Sequence, residues 1–159
     1  MTTPKATPSE QPTQPMGSQR LTEPRRFLDS NIFIRHLTND HPTHSPACFA
    51  LIQAIEQGRI HAWTSDIVIS EVVFVLSSRN LYNLGRETIR DLVLPLINLP
   101  GIKLPNKRMY RRVFDLYTSL PIDYADAYNA ALMEDRRQPE LYSYDTDFDR
   151  IAGLRRLEP

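Results

Sequence analysis

Cysteine is almost missing from this chain: Cys48 stands alone among 159 residues. That excludes an intramolecular disulfide and a cysteine-based zinc site. Long apolar runs are missing too. No stretch approaches the roughly 18 residues that a membrane helix needs, and the N-terminus has no hydrophobic stretch of signal-peptide type. The protein is therefore expected to be cytoplasmic, with no membrane partner. Net charge is absent as well, because 19 Lys and Arg balance 19 Asp and Glu. Nucleic-acid binders are usually basic overall, so attraction of the whole molecule to phosphate is excluded. Local patches or metal ions would have to supply the positive charge. The four histidines, His36, His41, His44 and His61, show no pair at ligand spacing on a clear helix. A zinc site is set aside on that ground.

What remains is an ordinary globular composition, 41% hydrophobic and 24% charged, on a chain long enough to bury one core. Residues 1–25 stand apart. They hold five of the thirteen prolines and little apolar bulk beyond Met1, Met16 and Leu21. Such a segment cannot offset its ordering entropy, and it is expected to be a disordered tail. Residues 26–159 are expected to form a single domain.

From Arg26 onward, short strands alternate with helices. Arg26–Asp29, His61–Trp63, Ile102–Leu104, Glu140–Tyr144 and Arg155–Leu157 read as strands. Helices are expected over Asn31–Leu37, Ser45–Gln57 (core face Phe49, Ile52 and Ile55, closed by Gly58), and Asp66–Ser78. In the last of these, Ile67, Val68, Val72, Val75 and Leu76 make an apolar stripe, with strand as the competing reading of a β-branched run. Gly85–Asn98 reads as a helix bent or ended near Pro95. Asn106 is expected to cap the next helix and Asp123 to open the one after it. A short helical turn is expected around Phe148 and Ile151. No internal repeat is visible. Strands separated by helices predict a parallel sheet with helices on both faces, an α/β fold of three layers.

In open parallel sheets, ligands bind beyond the carboxyl ends of the strands. Asp29 and Asp145 each sit where the chain leaves a strand for a helix. Capping of the following helix is the plain alternative for both. Glu71 lies among Ile67, Val68, Ile69, Val72, Val73, Phe74, Val75 and Leu76, where burying a carboxylate is costly unless something positive meets it. Its plain alternative is the one exposed stripe of the helix. Asp126 falls in the first turn after Asp123, where an acid also suits the helix dipole. Four acids brought together bare would repel one another. A divalent cation removes that problem, and carboxylate oxygens suit Mg²⁺ or Mn²⁺. Such a site could activate water and hold a phosphodiester despite zero net charge.

Four segments carry a resemblance. Phe27-Leu28-Asp29-Ser30-Asn31-Ile32-Phe33-Ile34-Arg35 resembles the strand-Asp-Thr/Ser-Asn opening of the PIN domain family, with Ser30 where Thr is commoner. Ile69-Ser70-Glu71-Val72-Val73-Phe74-Val75-Leu76 is similar to the segment bearing that family's second acid. Asp126-Ala127-Tyr128-Asn129-Ala130-Ala131 is similar to the helix with its third. Ser143-Tyr144-Asp145-Thr146-Asp147-Phe148-Asp149-Arg150-Ile151 resembles its closing motif. There Asp145, Asp147 and Asp149 compete, and Asp145 is chosen because it directly follows the strand.

The resemblance is strongest to the toxin ribonucleases of VapBC toxin–antitoxin systems. It implies a five-stranded parallel sheet flanked by helices. It implies a Mg²⁺- or Mn²⁺-dependent endoribonuclease, a small VapB-like antitoxin partner and a homodimer. It implies Asp29 and Asp126 as main metal ligands, Glu71 and Asp145 completing the site, and Ser30, Asn31 or Arg35 touching substrate. Rival readings are a nuclease of general RNA turnover and an inactive RNA- or protein-binding module. An aspartate-nucleophile phosphatase would want Asp at position 31, which holds Asn. A structure-specific DNA nuclease would want clamping elements for which the chain has little room. Lys103, Lys107, Arg108, Arg111 and Arg112 could track phosphate, but a solvated helix face is the preferred reading.

Overall fold

This computed structural model describes residues 25–159. The expected tail lies outside the described residues, except for Arg25. Strand β1 (Arg26–Phe27) runs parallel to β2 (Ala62–Trp63), which runs parallel to β3 (Ile102–Lys103). Successive side chains of a strand point to opposite faces. On one face Leu28, Ala62, Thr64, Ile102 and Leu104 are buried. On the other, Phe27, Trp63 and Lys103 are exposed in a single row set by the register Phe27↔Trp63↔Lys103. Thr64, fully buried, donates its hydroxyl to the Leu28 carbonyl at 2.9 Å and so ties the ends of β1 and β2 together.

The expected five-stranded sheet is not formed. Strands β4 (Glu140–Tyr142) and β5 (Arg155–Leu157) pair in parallel with each other, as a separate two-stranded sheet. Strands of two or three residues offer few backbone groups for a ladder, so side-chain burial decides where they sit. Phe148 and Ile151, between β4 and β5, are buried in the common core and anchor this second sheet.

Six helices surround the strands: α1 (Ser30–Thr38), α2 (His44–Glu56), α3 (Asp66–Ser77), α4 (Arg86–Ile97), α5 (Tyr110–Ser119) and α6 (Tyr124–Arg136). The β-branched run 67–76 resolves as helix. Ser65 caps it by accepting from the Val68 N–H, and Val68, Ile69, Val72, Val73 and Leu76 bury at helical spacing. The expected stripe is rotated: Ile67 is 79% exposed, and Ile69 and Val73 take the inner positions. A similar shift occurs in α2. Phe49 is outside, stacked on His36 at 5.5 Å between ring centroids, while Cys48, Ile52 and Ile55 face the core. Gly58 follows α2 in the left-handed conformation (φ 71°), as a helix-ending glycine should.

Helix α4 runs through Pro95 to Ile97 instead of ending there. Asn106 does not cap a helix with its side chain. It adopts φ 48° ahead of a 3-10 turn, Lys107–Met109, that leads into α5. Between β2 and β3 the chain passes Gly101, where an added Cβ would lie 2.7 Å from the Ile55 carbonyl. Glycine is required there by close approach, since α2 ends against this turn.

Candidate metal centre

The first turn of α6 brings Asp126 toward the segment that follows β4. One carboxylate oxygen from each of Asp126, Asp145 and Asp147 lies within 4.8 Å of the others. Asp145 caps the 3-10 turn Thr146–Arg150, accepting from the Asp147 N–H at 2.9 Å. This turn folds the chain back on itself, so Asp147 points to the same place as Asp145. The Asp145 N–H in turn donates to the Ser143 hydroxyl at 3.0 Å. Capping and clustering are therefore both true of Asp145. Asp147 was left in doubt by the sequence; its signal was the Asp-Thr-Asp spacing of a side-chain turn. Asp149 is drawn elsewhere: Arg156 donates to both its oxygens at 3.0 and 3.1 Å and holds its pKa below the usual value.

Asp126 is half-buried. Its pKa is raised, first by desolvation, then by the charges of Asp145, Asp123 and Asp147. It lies in the first turn of α6, where an acid suits the helix dipole. Asp126 and Asp145 border an open groove of about 470 Å³ lined also by Asn129, Leu141, Ser143 and Phe148. A larger groove of about 640 Å³ between α3, α5 and the start of α6 holds Asp123 but not Asp126.

Asp29 and Glu71 do not join the close group. Asp29 is exposed beyond β1, and its side chain does not cap α1. Instead Asn31 donates its amide to the Asp29 carboxylate at 3.0 Å and orients it. Glu71 is exposed on the outer stripe of α3, beside Ile67 and Phe74. No buried, unpaired charge has to be explained there. Of the residues expected to touch substrate, Asn31 is exposed, whereas Ser30 is only 2% exposed at the start of α1. Arg35 is paired with Asp40, which also accepts from the Tyr82 hydroxyl. Tyr82 and Arg35 together hold Asp40 well below the usual carboxylate range.

An acid the sequence reading passed over is Asp66, at the first position of α3. It accepts from the buried Tyr110 hydroxyl at 2.7 Å. Burial is the chief reason the Tyr110 phenol titrates far above its usual value. Asp66 thus pins α3 to α5. The basic run is largely engaged too. Lys107 donates to the carbonyls of Leu99 and Ile102, Arg108 to Asp135, and Arg112 to both oxygens of Glu134 at 2.8 Å.

A family model described as the PIN domain matches residues 26–154. The chain belongs to the PIN domain family. PIN domains are generally nucleases, and they generally bind divalent metal ions. In this PIN domain, the acidic group at Asp126, Asp145 and Asp147 has the all-carboxylate donor set that such ions prefer. Among curated proteins the chain has no match. Among the described residues, no helix is long and apolar enough to cross a membrane.

Proposed function

We propose that this PIN domain is a Mg²⁺- or Mn²⁺-dependent endoribonuclease acting as the toxin of a type II toxin–antitoxin pair. The convergence of Asp126, Asp145 and Asp147 carries the nuclease part of the reading. Three carboxylates with oxygens within 4.8 Å of one another fit a hard cation. Desolvation first, and then their mutual repulsion, raise the pKa of Asp126, while Arg150 stands 3.5 Å from Asp147 and offsets part of the group's charge. Bound there, a divalent ion would neutralise phosphate charge and make water a better nucleophile at neutral pH.

The chain's own residues supply the setting. Asp126 and Asp147 offer oxygens from two different elements. Asp145 is held in place by its own turn. Asn31 fixes the Asp29 carboxylate beyond β1. Asp29 and Glu71 enter as further acids of the site on the strength of the motif match. RNA as substrate, a small VapB-like antitoxin and a homodimer rest on the same match. The reading has the protein act in the cytoplasm.

The direct test uses purified protein and end-labelled structured RNA, with Mg²⁺, with Mn²⁺ or with chelator. Cleavage that needs the metal is expected. Expression in a bacterial host should arrest growth, and co-expression of the neighbouring gene should relieve the arrest. Growth that continues while purified protein cleaves RNA would leave a nuclease and remove the toxin.

A further inference from the structure

We infer that the exposed row Phe27–Trp63–Lys103 is a stacking platform for the bases of single-stranded RNA, leading into Asp29. The inference rests on the ribonuclease reading and extends it to how substrate is held. Aromatic side chains of this size normally bury. Phe27 and Trp63 are each 45% exposed, although Leu28, Ala62 and Thr64 beside them are buried. Their rings meet edge-to-face with centroids 4.6 Å apart. Each ring is thus fixed by the other, so little rotamer freedom is left to lose when a base arrives. Register sets the exposed Lys103 beside Trp63 on the same face.

The row also has a direction. Residues i and i+2 of an extended chain share a face, about 6.6 Å apart. Asp29 is two residues beyond Phe27, and its own backbone is extended (φ −82°, ψ 161°). Phe27, at one end of the row, therefore has a candidate acid as its neighbour along its own strand. Near the second sheet, Tyr142 and Tyr144, each 73% exposed, also precede an acid, Asp145. Aromatic faces beside a cation are the recurring means of holding unpaired bases and their phosphates without a basic protein overall. A protein partner fits less well, because a stable interface buries roughly 800 Å² on each side, and two rings and a lysine span far less.

Trp63 is the only tryptophan in the chain, so its fluorescence reports on the platform directly. The test titrates the full protein, in chelator, with a mixed-sequence single-stranded oligoribonucleotide and with an RNA duplex. Quenching of Trp63 by the single strand, and much less by the duplex, is expected. With fluorescently labelled oligonucleotide, Trp63→Leu should weaken binding about tenfold and Trp63→Phe far less, since a ring remains. Lys103→Gln should weaken binding and flatten its salt dependence. Cleavage by Trp63→Leu at saturating RNA should stay within about twofold of wild type, with the loss falling on KM. Circular dichroism confirms that each variant folds.

RNA binding that leaves Trp63 emission unchanged would overturn the platform. Metal-dependent cleavage in the same preparation would then leave the ribonuclease reading standing. Equal quenching by duplex, or emission that follows protein concentration and ignores RNA, would also overturn it, the latter pointing to a second copy as occupant. Neither binding nor cleavage of any RNA would remove both readings.

Discussion

Asp126 serves the fold and the site at once. It sits in the first turn of α6, where an acid suits the helix dipole, and its carboxylate groups with those of Asp145 and Asp147. Its folded pKa is raised, so the folded state binds this proton more readily than the unfolded chain does. The ionised group therefore destabilises the metal-free protein above that raised pKa, and the penalty fades as pH falls toward the ordinary carboxylate value of about 3.9. Asp126→Asn removes the charge and keeps the shape. In chelator at pH 7 it should raise Tm by about 1–3 °C, with the gain shrinking near pH 4. Added Mg²⁺ should raise the Tm of wild type and leave that of Asp126→Asn nearly unchanged, as thermal melts would show. The sequence reading gathers Asp29, Glu71, Asp126 and Asp145 in one site; the structure groups Asp126 and Asp145 with Asp147 and leaves Asp29 and Glu71 outside the close group. Three acids in five residues could not be ranked from spacing alone. The turn that swings Asp147 inward and the arginine that draws Asp149 away are tertiary facts.

At the scale of elements, packing overrides local preference. The run 67–76 would suit a strand by its β-branched residues, yet its apolar positions bury at helical spacing, and the Ser65 cap fixes where the helix begins. Periodicity identified this helix and most others; it misplaced the inner face of α2 and α3 by about one residue, which moved Phe49 and Ile67 to solvent. A spacing of three fits either side of a 3.6-residue turn, so one-residue rotations are invisible until the partner element is known. Gly101 shows the same dependence in reverse. Nothing local demands glycine before β3, but α2 ends against it. Gly101→Ala should destabilise the fold by about 1–3 kcal/mol, measurable by urea unfolding with an unchanged m-value. An unaffected midpoint would mean that α2 yields freely there.

Across the whole molecule, zero net charge conceals a local division of labour. Arg108 and Arg112 pair with Asp135 and Glu134, and Lys107 serves backbone carbonyls. The basic run therefore stitches α5 and its preceding turn to neighbouring segments. Arg112→Gln should leave RNA binding and cleavage within about twofold of wild type; a loss of tenfold or more in binding would restore the phosphate track. The alternation of strands and helices was legible as an α/β fold, and the PIN family match over residues 26–154 agrees with it. The division into a three-stranded and a two-stranded sheet was not, because strands of two or three residues carry too little ladder to announce which of them pair.

The central claim is that Asp126 belongs to a metal centre that cleaves RNA. The rate of RNA cleavage by wild type and Asp126→Asn, in Mg²⁺ and in chelator, tests it most directly. Wild type should cleave only with metal, and the variant should lose at least about a hundredfold, as loss of one group at an electrostatic site commonly does, while melting no lower than wild type. Cleavage by a folded Asp126→Asn protein at the wild-type rate, or cleavage indifferent to chelator, would contradict it.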